Sequence, residues 1–203
     1  TSSEPTTNFV VGDISVSGGS LSSFATTSTS IDQMGSDLDG EAENDRSGWS
    51  VSMNGDGDRV AVGAIWNSGG GGTRRGHTRV FSWNGSAWSQ LGNDLDGEGS
   101  QSYSGHAVSL DSDGNRVAVG SPRNDGNGTY SGHVRVHSWD GSSWSQLGSD
   151  IDGEAVRDSS GFSVSLDSDG DRVAIGALRN DGTGANAGHV RIYSYNGSSW
   201  SQL

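Results

Sequence analysis

The sequence predicts an all-β protein made of three four-stranded, β-propeller-type blades in tandem. Three observations carry that prediction. The chain repeats itself every 56 or 57 residues: QMGSDLDGE at Gln33 returns in near-identical form at Gln90 and Gln146 and begins again at Gln202. A fixed period of this length marks an array of like units. Within each unit apolar residues alternate with polar ones, and no stretch shows a 3.6-residue period. Each unit also carries a two-residue Asn-Gly or Asp-Gly turn between apolar runs, the strongest local sign of a β-hairpin.

The three units lie within residues 33–203, at approximately 47–95, 104–151 and 160–203. The first strand is SGWSVSM from Ser47, SGHAVSL from Ser104 and SGFSVSL from Ser160. A tight acidic turn follows, NGDGD or DSDG. The second strand is R-V-A-V/I-G-A/S, as at Arg172 to Ala177. After a variable Gly/Asn loop comes the third strand, His133 to Trp139 in the middle unit. Val134 and Val136 point one way there, and Arg135, His137 and Trp139 point the other. A strand with large groups on both faces suits a blade between two neighbours; the alternative is a plain sandwich of hairpins. Asn84-Gly85, Asp140-Gly141 and Asn196-Gly197 then turn the chain into the fourth strand, W-S-Q-L.

Three blades do not close a ring. An open array leaves an apolar face and unpaired edges at each end, which recruit another chain. Two chains in a six-bladed ring, a head-to-tail filament, or a piece of a longer propeller all satisfy that demand. Residues 1–32 stand outside the repeat and read as a strand-forming extension. Phe9, Val10, Val11, Ile14, Val16, Leu21, Phe24 and Ile31 are its candidate contacts with a neighbouring chain; the alternative is a linker.

Composition narrows the function. The 203 residues include 34 glycines, no cysteine, 25 acids and 12 bases, for a net charge of −13. Without cysteine there is no disulfide framework, thiolate zinc site or cysteine nucleophile. An acidic chain with no basic run is a poor partner for nucleic acid. No apolar run approaches the roughly 20 residues of a membrane helix. The start at Thr1 reads as a processed chain or a fragment.

The phrases SGFSVSLDSDGDRVAIGA, NDG at Asn180 and GHVRIY resemble the FG-GAP repeats of integrin-α-like β-propellers, across residues 33–203. The resemblance implies four-stranded blades in extracellular or cell-surface proteins that adhere or bind ligands. The family's calcium loop, D-x-D-x-D-G-x-x-D, is longer than the turn here, where Asp167-Ser168-Asp169-Gly170-Asp171 meets Arg172 at once. Residues Asn8 to Ser30 resemble the last strands of a bacterial immunoglobulin-like adhesin module.

Several residues are candidates for chemistry. The triplets Asp37, Asp39, Glu41; Asp94, Asp96, Glu98; and Asp150, Asp152, Glu154 place hard oxygen ligands on tight turns, which suits calcium. Read without an ion, they are solvated turns. Asp111, Asp113, Asp167, Asp169 and Asp171 add to the same count. His77, His133 and His189 recur once per unit, as metal ligands or as fixed structural hydrogen-bonding groups. Arg59, Arg116 and Arg172, and Arg79, Arg135 and Arg191, are expected to pair with the acids. Trp83 and Trp139, and Trp88 and Trp144, are matched between repeats and predict packing between blades. Trp66 falls outside that pattern and is a candidate for stacking on a sugar. Asn84, Asn127 and Asn196 head glycosylation sequons.

No catalytic motif is present, and the carboxylate sets repeat once per unit, so the expectation is no enzyme and no required cofactor, with Ca2+ as the one candidate ion. The expected function is an extracellular structural subunit that assembles with itself by strand addition and blade-face packing. The alternative is a lectin-like, carbohydrate-binding propeller module with glycans as partners.

Overall fold

The computed structural model describes residues 32–69 and 73–203. The candidate strand-donor residues Phe9, Val10, Val11, Ile14, Val16, Leu21, Phe24 and Ile31 lie outside them. Among the described residues, fourteen β-strands form three blades. The first holds β1 (Ser47–Met53), β2 (Arg59–Ala64), β3 (His77–Trp83), β4 (Trp88–Gln90) and β5 (Leu95–Asp96). The second holds β6 (Ala107–Leu110), β7 (Arg116–Ser121), β8 (His133–Trp139), β9 (Trp144–Gln146) and β10 (Ile151–Asp152). The third holds β11 (Ser160–Leu166), β12 (Arg172–Ala177), β13 (His189–Tyr195) and β14 (Trp200–Gln202). Each blade is an antiparallel meander in chain order, as predicted, and no barrel closes.

The outer strand differs from the expectation. It comes in two pieces in the first two blades: β4 pairs with the end of β3, Trp83 opposite Trp88, and β5 pairs with its start, His77 opposite Asp96. Gly92 separates them at φ +75°, and a Cβ there would sit 2.6 Å from the Trp139 ring. The L-D-G-E run is therefore half strand and half turn. Leu95 and Ile151 alternate with acids and bury between blades.

Consecutive blades pack face to face. Ala61, Val80 and Leu95 of the first blade meet Val108, Leu110, Val117 and Val119 of the second. Ala118, Val134, Val136 and Ile151 of the second meet Leu166, Val173, Ile175 and Tyr193 of the third. Each such valine or isoleucine contributes about 1.5–3 kcal/mol when fully buried. The two-faced third strand behaves as its alternation requires. Val134 and Val136 face the third blade, while Arg135 donates to the carbonyl of Asp96 in the first.

The seams are tight enough to select glycine. A Cβ at Gly63 would overlap the carbonyl oxygen of Gly105, and one at Gly120 that of Gly161. Tryptophans also bridge the seams, as predicted: Trp144 Nε1 donates to the Leu91 carbonyl at 2.7 Å, and Trp200 Nε1 to that of Leu147 at 2.8 Å.

The acidic turns form a ladder. Gly55 N–H donates to the Ser112 carbonyl and Ser112 N–H to that of Ser168. Asn54, Asp111 and Asp167 each accept the amide of the arginine that opens the next strand. Arg59 reaches the Gly114 carbonyl and Asn115, and Arg116 the Asp169 carbonyl. These two arginines thus bind backbone and amide groups of the next turn, not the carboxylates expected, because blade packing brings those groups closer.

Candidate functional site

The two ends of the array expose what its interior buries. Val136 is 1 % exposed and Val134 0 %, but their repeat partners Ile192 and Val190 on β13 are 47 % and 67 % exposed. At the other end Val108 and Leu110 are buried, while their partners on β1, Val51 and Met53, are 65 % and 58 % exposed. The same side chains are therefore core in one repeat and surface in another. The strand facing them decides the difference.

A cavity of about 290 Å³ lies where the first strands of the three blades converge. Trp49 on β1, His106 just before β6 and Phe162 on β11 supply one ring each, with centroids 5.7 and 4.5 Å apart. Arg46, Arg123 and Arg179 also line it. In a chain this acidic, three guanidiniums around one cavity make a local anion-attracting field. Burial and the Arg123 charge lower the His106 pKa against the opposing Phe162 carbonyl, so the imidazole is neutral near pH 7. The rim is strained alike in each repeat. Arg46, Tyr103 and Ser159 hold φ near 59°, 57° and 56°, a region that non-glycine residues seldom occupy.

Trp66 lines the same cavity. It occupies the repeat position of Arg123 and Arg179, a match hidden by the change of residue type. Its ring is engaged: the Arg46 guanidinium stands 3.2 Å and that of Arg74 4.4 Å from its centroid.

The acidic triplets are dispersed. Glu41 Oε2 lies 3.7 Å and Asp94 Oδ2 3.6 Å from His77 Nδ1. Glu98 Oε2 lies 3.9 Å and Asp150 Oδ2 3.3 Å from His133 Nδ1. Glu154 lies 3.7 Å from His189. The clusters at His77 and His133 thus take one acid from each of two successive triplets. Asp39, Asp96 and Asp152 act through their carbonyls, which accept from Arg79, Arg135 and Arg191. Those arginines also pair with Glu41, Glu98 and Glu154, as expected. Asp37 joins no such cluster among the described residues.

Of the sequon residues, Asn84 and Asn196 use Oδ1 to hold their own turns. The Asn127 amide nitrogen donates to the Gly153 carbonyl at 2.8 Å. Asn67, Asn124 and Asn180 were given no role from the sequence, although Asn180 stands in one of the FG-GAP-like phrases. Each caps its loop through Oδ1, and Asn67 and Asn180 bind the buried Asp45 and Asp158 at 3.0 and 2.9 Å. Their recurrence directly after the second strand was the available signal.

Residues 38–81 match the FG-GAP repeat. The resemblance read from the sequence is borne out there, and the later units repeat its phrases. No curated protein matches the chain. Two solved structures share the blade arrangement, each named a "putative 6-phosphogluconolactonase". The one from Bacteroides uniformis is 9 % identical with a TM-score of 0.50, over 75 % of this chain and 38 % of its own length. The one from Bacteroides fragilis is also 9 % identical, with a TM-score of 0.52, over 75 % of this chain and 36 % of its own length. At this identity the likeness establishes the propeller-type fold, and the chain spans little more than a third of either structure.

These matches correct the expectation of no enzyme. Both structures carry the names of enzymes, so the propeller-type fold by itself is no ground for excluding catalysis.

Proposed function

We propose that the chain is an interaction module that associates end to end with further copies of itself. The exposure of Val190 and Ile192 against the burial of Val134 and Val136 carries this reading. Each end presents one half of an internal seam: β13 matches the giving side and β1 the receiving side. Stacking the first blade of one copy on the third blade of another repeats a contact that the chain already makes twice. Such a contact is heterologous and propagates unless its rotation closes a ring. A specific interface needs about 800 Å² per partner, the scale of one blade face. An extracellular or cell-surface setting belongs to the same proposal and rests on the FG-GAP resemblance.

Sedimentation velocity tests it. The chain should sediment as concentration-dependent oligomers, and Val190→Asp with Ile192→Asp should sediment as a monomer with an unchanged circular dichroism spectrum. A parent chain that is monomeric at every concentration, or oligomers that survive the substitutions, would refute end-to-end association.

The cavity supports a second reading, recognition of an anionic saccharide. Two guanidiniums cover the Trp66 ring, so the cavity offers charge where a neutral sugar needs an open aromatic face. Uronic or sulfated glycans are expected to bind in preference to neutral ones. Arg123→Gln with Arg179→Gln should weaken them at least about tenfold, the loss of about 1.4 kcal/mol expected for a hydrogen bond to a charged group. Equal binding of neutral glycans on an array would exclude this reading.

A further inference from the structure

We propose that Glu41, His77 and Asp94, and equally Glu98, His133 and Asp150, are two divalent transition-metal sites, one per blade. Each trio brings one imidazole nitrogen and two carboxylate oxygens within 4.8 Å of one another. The nitrogen-to-oxygen distances run from 3.3 to 3.9 Å. Donors bound at 2.0–2.2 Å to one tetrahedral zinc stand about 3.3 Å apart. A small inward movement of the side chains therefore closes the cage.

The histidines point independently to an ion. His77 and His133 are almost wholly buried, at 1 % and 0 % exposure. Nδ1 of His77 and Nε2 of His133 make no hydrogen bond. His77 Nδ1 lies 3.6 and 3.7 Å from its two carboxylates and bonds neither, so it lacks the partner that offsets its desolvation; His133 Nδ1 approaches Asp150 Oδ2 at 3.3 Å, a contact that holds the Asp150 carboxyl below the usual carboxylate range.

The carboxylates are held from behind. Arg79 pairs with Glu41 Oε1 and Arg135 with Glu98 Oε1, and Oε2 of each glutamate faces the histidine; Glu41 Oε2 also accepts from Asn67 Nδ2 at 3.3 Å. Gln90 donates to Asp94 Oδ1 at 2.8 Å and Gln146 to Asp150 Oδ1 at 2.7 Å, which leaves Oδ2 toward the same histidine. One oxygen anchored and the other presented is the arrangement of metal-ligating carboxylates. Two carboxylates and a neutral imidazole balance a dication. One nitrogen and two oxygens suit zinc, manganese or nickel, whereas calcium takes six to eight oxygens.

The placement gives the ion a task. Glu98 lies beyond β5, on the segment leaving the first blade, while His133 opens β8 and Asp150 precedes β10 in the second. An ion there clips one blade's exit segment to the next blade. Glu154 and His189 repeat the first half of the arrangement in the third blade.

Calorimetric titration of the chelator-treated chain with zinc, and the visible spectrum with cobalt, test the assignment. About two ions should bind per chain, with a cobalt spectrum of low coordination number and a raised Tm in zinc. His77→Gln and His133→Gln should each remove one ion, and the double variant both. Because these histidines are buried, Asp94→Asn and Asp150→Asn are measured alongside. Each of these exchanges a half-exposed ligand and should also cost one ion in a folded chain. Gln146→Leu should weaken one site about tenfold without removing a ligand. No binding by the parent chain, or zinc binding that the Asp94→Asn, Asp150→Asn double variant leaves unchanged, would overturn the proposal.

Discussion

Gly120→Ala is expected to open the seam between the second and third blades, while the repeat-matched Gly176→Ala leaves the fold intact. The two glycines occupy the same position in β7 and β12 and differ in what faces them. A Cβ at Gly120 would overlap the carbonyl oxygen of Gly161 on the neighbouring blade, with the Gly161 backbone behind it. Gly161 sits in the β-bulge between Ser160 and Ser163, and a main-chain carbonyl there has no rotamer by which to swing aside. Overpacking of this kind costs about 3 kcal/mol, which in a chain of this length lowers Tm by roughly 6–12 °C. At Gly176 the nearest obstacle is the Ser163 hydroxyl, which one side-chain rotation removes. There the lost backbone freedom of the unfolded chain makes alanine neutral or slightly stabilising, by up to about 1 kcal/mol. Blades contact only their neighbours, so Gly120→Ala should also split the melt, with the third blade unfolding first. Calorimetry of the two variants separates these cases; equal Tm values would show that the seam does not select glycine. Gly176→Ala also bears on self-association. If a second copy docks as the internal blades do, its carbonyl meets the new methyl, and the stable, folded variant should fail to oligomerise.

What the sequence made legible follows the physics of each element. The third strand ran from His133 to Trp139 as read, because valines alternate there with large polar and aromatic residues on the other face. The second strand was equally plain at Arg172 to Ala177. The split outer strand was not, since Leu95–Asp96 is two residues long and its acids imitate a turn. The acid–histidine clusters were hidden for a related reason. Asp94, Asp96 and Glu98 look like one set because alternate residues of an extended chain share a face, but only Leu95–Asp96 is strand here and the chain bends away at Glu98. Blade packing then recruits each acid to a different partner. The guanidinium-lined cavity was hidden by substitution: Trp66, Arg123 and Arg179 share a position but not a residue type. Exposure at the ends could be argued from three blades failing to close a ring. Which residues it would strand, Val51 and Met53 on one side and Val190 and Ile192 on the other, needed the faces to be assigned.

Acid should weaken the second blade through His137, and His137→Phe should remove that weakness. His137 lies in β8 opposite Val117, where the first and third blades carry Phe81 and Tyr193 opposite Val60 and Val173. The position is built for an aromatic ring in an apolar seam, and the imidazole fills it at the expense of its charged form. Burial, then the Arg135 charge, hold its pKa down to about 3; Asp150 pulls the other way and His133 adds to the lowering. The sign follows from proton uptake. Between about pH 6.5 and pH 3 the unfolded chain binds a proton at this site and the folded chain does not, so stability falls as pH falls through that window. Each unit is worth about 1.4 kcal/mol, so moving from pH 7 to pH 4.5 costs roughly 2–3 kcal/mol at this site. Asp111 works in the opposite sense, since burial raises its pKa. The difference between parent and variant isolates His137 from it. Urea unfolding at pH 7 and pH 4.5, with chelator present throughout, is the measurement. The parent should lose stability on acidification by that margin more than His137→Phe, which should be at least as stable at pH 7 because phenylalanine suits the site. An identical pH dependence in the two chains would mean that the folded state admits a charged imidazole in the seam, and that the seam is wetter than its packing indicates.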